Sequence, residues 1–277
     1  MAGPAQRQAR PGGSLRWRGF EVGAAPEAPP FSHLRLTLQF PVMDRVTRRA
    51  ALALVLLVPV PSLAVALAHW LAPGPVGQVG FALAKLWLVA LPAGWWLGVE
   101  RGRWSWSPAR QGGLGIGLLV GVAMAAAIVG AYLTFGRGWI DPAQVRAMAN
   151  RAGIGTPLRY LAGAAYWVLL NSLIEEIVWR WFVFRQWSTV LDRVLGGRAL
   201  AVLASAACFT AHHSLALAAQ AGPVLVVTGS LAVLAAAAAW SWLYLRYRSV
   251  WVPWVAHVLA DLPIFVIGWH LLFGGGG

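Results

Sequence analysis

Apolar residues run through this chain in seven long blocks, separated by short stretches where arginine, proline and glycine gather. Each block is long enough to cross about 30 Å of hydrocarbon as a helix. The pattern predicts spans at 50–71, 77–98, 113–135, 158–184, 199–220, 223–245 and 250–273. Pro and Gly in 72–76 and 221–222 mark tight turns between neighbouring spans. Asp141-Pro142 has the order of a helix cap followed by a first helical residue, which predicts a short interfacial helix over 141–152. Residues 1–45 are rich in Arg, Pro and Gly and lack apolar periodicity, so they read as a disordered basic cytosolic arm. The expected fold is all-α: a polytopic transmembrane helix bundle over 46–277 behind that arm.

Composition agrees. The chain is 59% hydrophobic and 11% charged, which excludes an ordinary soluble globule. Its net charge of +13 comes almost wholly from arginines between the apolar blocks. There they set orientation and contact anionic lipid headgroups, and no nucleic-acid-reading motif accompanies them. Arg45, Arg48, Arg49, Arg101, Arg103, Arg110, Arg185, Arg193, Arg198, Arg246 and Arg248 share one side if the amino terminus lies inside. Only Arg137, Arg146 and Arg151 oppose this orientation. Tryptophans near the same ends, including Trp95, Trp104, Trp179 and Trp240, read as an aromatic belt. The Arg-, Ala- and Trp-rich composition is that of a bacterial chain, which places it in the cytoplasmic membrane. Cys208 is the sole cysteine, so an intrachain disulfide is excluded; it is expected to pack as a small apolar residue.

Three of the nine acidic residues, Glu175, Glu176 and Asp261, interrupt apolar spans, and His212, His213 and His257 lie in the same or neighbouring ones. Inserting an ionisable group near a helix centre costs roughly 2.5 to 3.5 kcal/mol, so such groups face a bundle interior and act there. At about 1.5 Å of rise per residue, Glu175, His213, His257 and Asp261 fall in one band about 10 Å deep. Glu176 and Arg180 are four residues apart and share a face, where they can pair. Glu175 points elsewhere, with Asn171 and Trp179, and is free to be the working carboxylate. His257 and Asp261 are also four apart, so the aspartate can hold one ring nitrogen while the other faces a substrate. The plain structural alternative is an internal ion pair at Glu176–Arg180 and histidines that only join helices. His69 and His270, near span ends, take that reading, and His212 is ambiguous.

At these residues the chain resembles a known family. Glu175-Glu176-Ile-Val-Trp-Arg180, Phe209-Thr-Ala-His212-His213 and His257-Val-Leu-Ala-Asp261 fit E-E-x-x-x-R, F-x-x-x-H and H-x-x-x-N/D in order. They resemble the CPBP family: type II CAAX-prenyl endopeptidases, Abi proteins and lysostaphin-resistance-like membrane proteins. The resemblance covers 158–265. It implies an intramembrane endopeptidase in which Glu175 activates water and His213 helps to hold it. His257 and Asp261 would stabilise the oxyanion, with Glu176 and Arg180 in support. The family's third motif often ends in asparagine; Asp261, if ionised, can only accept a hydrogen bond. The substrate implied is a membrane-associated or lipidated protein or peptide, with no cofactor required.

A zinc-dependent version is the near alternative, since two histidines and a carboxylate can make a catalytic zinc site. H-E-x-x-H, however, is absent. From other classes, intramembrane Glu and His chains also serve proton-coupled transporters and channels, and polar clusters can simply hold a scaffold together. Oligomeric state is not encoded in any pattern found here.

Overall fold

The computed structural model describes residues 43–103 and 105–274. The expected arm therefore lies outside the described residues except for its last three, and Trp104 lies outside them too. Every regular element among the described residues is a helix, with no strand among them. Seven helices are long and apolar enough to cross a membrane: α1 (Arg45–Leu71), α2 (Pro75–Val99), α3 (Leu114–Trp139), α5 (Pro157–Val190), α6 (Gly197–Ala218), α7 (Pro223–Tyr247) and α8 (Trp251–Phe273). The short α4 (Pro142–Arg151) lies between the third and fourth of these.

Helix starts follow local chemistry. The Asp44 side chain accepts from the Thr47 amide at 2.8 Å and caps α1, which therefore begins at Arg45, earlier than the apolar block alone predicts. Pro75, Pro142, Pro157 and Pro223 each stand at the first helical turn, where a missing N–H costs nothing. Asp141 caps α4 through the Ala143 amide. Between α1 and α2 the chain reverses through Gly74, whose φ of +104° suits glycine.

The longest departure from the expected spans is α5, which continues past residue 184 to Val190. Arg185 makes this possible. It pairs with Glu100 at 2.8 Å, and its guanidinium lies over the Trp96 and Trp181 rings. Within α5 the backbone widens into π-helical turns over Tyr166–Asn171 and Glu176–Phe184, on either side of Glu175. Such turns are uncommon and concentrate at functional positions.

Outward faces carry the large apolar side chains, among them Leu83, Leu86, Leu119 and Leu231, each at least 60% exposed. Polar and charged side chains are turned inward instead: Glu176, Arg180, Ser205, Asn171 and His257 are all buried. That inversion is what a lipid solvent demands. Trp179, Phe182, Val183, Phe209, Trp240, Leu243, Val252 and Ala256 form the core between α5, α6, α7 and α8. Here the expected aromatic belt needs correcting. Trp95, Trp179 and Trp240 are buried core residues, because they sit near helix ends but on inward faces. Cys208 packs against this core, as expected for a small apolar residue.

Two glycines on α3 let α8 come close. A Cβ at Gly117 would strike the Val252 carbonyl, and one at Gly121 would lie 2.9 Å from the Ala256 Cα. The G-x-x-x-G spacing gives van der Waals contact between backbones, the main attraction available where lipid competes with apolar side chains. Side-chain hydrogen bonds fix α8 against α5: Tyr160 donates to the Phe265 carbonyl at 2.8 Å, and Trp254 donates to Leu169 O and Ser172 Oγ at 3.1 Å. Ser205 on α6 donates to the Trp179 carbonyl at 3.0 Å, tying α6 to α5.

Candidate active site

Five helices bring polar side chains to one place inside the bundle. From α5 come Asn171, Glu175, Glu176 and Arg180; from α6, His212 and His213; from α7, Trp240; from α8, His257 and Asp261; and from α2, Lys85.

The deepest part is built around Glu176. One of its oxygens accepts from His257 Nδ1 at 2.7 Å and faces Arg180 at 3.2 Å, all three side chains being almost fully buried. The guanidinium is packed over the Phe209 and Trp240 rings, with centroids at 4.6 and 5.0 Å. Trp240 also stacks on the His257 imidazole at 3.9 Å and 18°. The i, i+4 pairing of Glu176 with Arg180 is therefore present, and the imidazole is fixed in both plane and tilt.

The sequence spacing assigned the His257 hydrogen bond to Asp261. In the structure Glu176 makes it, because α8 packs its His257 face directly onto α5. Asp261 Oδ2 stands 3.6 Å from His257 Nε2, and Glu175 Oε2 stands 3.7 Å from the same nitrogen. Both gaps are beyond hydrogen-bond length. Nε2 thus sits between two carboxylates without being bonded to either.

Glu175 is held from its other side. Its Oε1 accepts from the Asn171 amide at 2.8 Å, and the Asn171 carbonyl accepts from Lys85 Nζ at 2.7 Å. Beyond it opens a cavity of about 320 Å³, lined by Glu175, His212, His213, Lys85, His69 and Gln220 among apolar walls that include Trp167 and Trp179. His213 Nδ1 donates to the Phe209 carbonyl at 3.0 Å, which leaves Nε2 as the acceptor of the neutral ring. His212 lies flat on Trp179, with ring centroids 5.2 Å apart. One potential ligand atom from each of Glu175, His212 and His213 falls within 4.8 Å of the others. Among the described residues lining this cavity, neither His257 nor Asp261 appears, although His257 Nε2 stands 3.7 Å from Glu175 Oε2.

Lys85 and Trp240 were not foreseen as parts of this arrangement, whereas Asn171 was expected on the Glu175 face and His212 was left ambiguous. Lys85 did carry a signal, being the only lysine in the chain and lying in the middle of an apolar span. His69, expected to join helices near a span end, lines the same cavity as Glu175.

Seven helices long and apolar enough to cross a membrane, with a carboxylate and imidazoles on a cavity lined by α1, α2, α5 and α6, fit an integral membrane protein with a polar site inside the bundle. Residues 157–263 match the family model for type II CAAX prenyl endopeptidase Rce1-like proteins. This segment holds all three motifs and is under half of the chain. No curated protein and no solved structure matches the chain.

Proposed function

We propose that this protein hydrolyses a peptide bond in a membrane-associated or lipidated substrate, using a water molecule activated by Glu175. The observation that carries this reading is the pairing of Glu175 with His213 on one cavity. A water at hydrogen-bond distance, about 2.8 Å from each acceptor, spans a gap of this size and can donate one hydrogen to each. Its lone pair is then free for a substrate carbonyl.

The chemistry balances within the site. Glu175 takes a proton from the water as oxygen bonds to the carbonyl carbon, and the carbonyl becomes a tetrahedral oxyanion. His257 Nε2, unbonded between Glu175 and Asp261, is the nearest candidate donor to that oxygen. Asp261 is about a quarter exposed, so a carbonyl approaching on its side reaches Nε2. Asp261 then acts on His257 through its charge, while Glu176 orients the ring. The proton on Glu175 passes to the leaving amine as the C–N bond breaks. Glu176 and Arg180 keep His257 in plane. With the amino terminus inside, cleavage falls on the cytosolic side of the midplane.

The test is cleavage of a peptide library by the purified protein. Glu175→Ala and His213→Ala should both lose cleavage; equal cleavage by the variants removes the mechanism.

The cluster of Glu175, His212 and His213 favours one second reading. These residues would supply three ligands of a catalytic zinc site, with His213 oriented by its bond to the Phe209 carbonyl. A zinc ion there would activate its own bound water, and Glu175 would be a ligand rather than the base. The Lys85 ammonium on the same cavity wall opposes a dication electrostatically, which ranks the metal-free reading first. Full turnover after chelation excludes the zinc version.

A further inference from the structure

The family match begins at residue 157, and Lys85 lies well before it on α2. Its ammonium nevertheless reaches the candidate base through one intervening side chain. We propose that Lys85 is a positioning residue: through Asn171 it fixes which oxygen of Glu175 is occupied and which is left to take the proton. This rests on the reading of Glu175 as the base.

The argument is one of donors and acceptors. A lysine ammonium can only donate. Its 2.7 Å contact with Asn171 therefore requires the amide oxygen at that end, which turns the Asn171 NH2 toward Glu175. That NH2 donates to Glu175 Oε1 at 2.8 Å. Oε1 is consequently an acceptor already engaged, and Oε2 is the oxygen with capacity for a proton. Both ends set the polarity of the three-residue chain, since the lysine can only donate and the ionised carboxylate can only accept. Once Glu175 holds a proton its end no longer dictates the amide's orientation, and Lys85 alone keeps it.

The surroundings support a role beyond packing. Lys85 is the sole lysine of the chain, on a helix whose other faces are apolar. It makes no direct carboxylate pair among the described residues, and its hydrogen-bonded route to Glu175 runs through Asn171. Phe81 and Trp167 flank the ammonium, with ring centroids 5.7 and 5.1 Å away, and confine it to one direction. A charge retained at membrane depth without a salt bridge is costly unless it does something.

The experiment is infrared spectroscopy of the full chain in nanodiscs at neutral pH. The Glu175 carboxylate band is identified by its disappearance in Glu175→Gln. It is then compared among the wild type, Lys85→Met, Lys85→Arg and Asn171→Leu. Lys85→Met and Asn171→Leu are expected to shift the band, because the carboxylate loses its ordered donor. Lys85→Arg, still a donor-only cation, should stay close to the wild type. The same two disruptive variants should lower kcat by about 10- to 100-fold, with KM changed less than about twofold. Because Lys85→Met removes an ion from an apolar helix, its melting temperature should not fall. An unchanged band in both Lys85→Met and Asn171→Leu would overturn the proposal. A shifted band together with full cleavage by Glu175→Gln would leave the hold on Glu175 standing and refute Glu175 as the base.

Discussion

His257 donates to Glu176 across 2.7 Å, joining α8 to α5 at the centre of the bundle, and the same carboxylate oxygen faces Arg180. One acid therefore neutralises a buried arginine and holds the ring that the proposed reaction needs. Removing it strands a buried cation. Glu176→Ala should cost about 3–5 kcal/mol, the usual penalty for leaving one partner of a buried pair uncompensated. A fall in melting temperature measures this. Glu176→Leu combined with Arg180→Met should recover much of that stability but little activity, since His257 still loses its acceptor.

The close approach of α3 to α8 depends on glycine at two positions. Gly121→Leu should destabilise the protein by roughly 1–3 kcal/mol, as overpacking does, because Leu259 and Ala256 occupy the space its side chain would need. Gly115 on the same helix meets nothing within 4 Å, so Gly115→Leu serves as the control and should leave the melting temperature unchanged.

His212 separates the two chemical readings. If Glu175 and His213 act on water directly, His213→Ala should reduce kcat/KM by about 10²- to 10⁴-fold, and His212→Ala should have a much smaller effect. If the three residues hold zinc, both substitutions should abolish activity and bound metal together. Metal analysis of the purified variants, alongside kinetics, reads out both.

Asp44 gives a pH dependence outside the membrane spans. Its carboxyl is held below the ordinary value of 3.8, chiefly by the Thr47 backbone N–H that it caps. An acid lowered by folding stabilises the fold above its unfolded value, and that contribution is lost as pH falls through the lowered one. Asp44→Ala should therefore be less stable than the wild type at neutral pH, and the gap should shrink progressively below pH 3.8. Thermal melts across that range test the sign.

Hydropathy made the spans legible because lipid imposes one requirement on every outward face, and that requirement is written locally. Helical spacing likewise made Glu176–Arg180 legible, since four residues on one helix always share a face. Nothing local, however, says which helices are neighbours. That is why the partner of His257 was assigned to Asp261 on its own helix rather than to Glu176 on another. Trp240 was assigned to the lipid interface for the same reason: depth can be counted along a helix, but its inward or outward turn depends on what packs there. Lys85 was within reach of the sequence as the one lysine in an apolar block, though its link through Asn171 was not.

The most direct test of the account is peptide cleavage by the purified wild type and Glu175→Gln, measured side by side in a metal-free buffer containing chelator. Glutamine keeps the size and the hydrogen-bonding outline of glutamate but cannot take a proton from water. The account predicts cleavage by the wild type and a loss of about 10²-fold or more in the variant. Equal cleavage by the two proteins would contradict it.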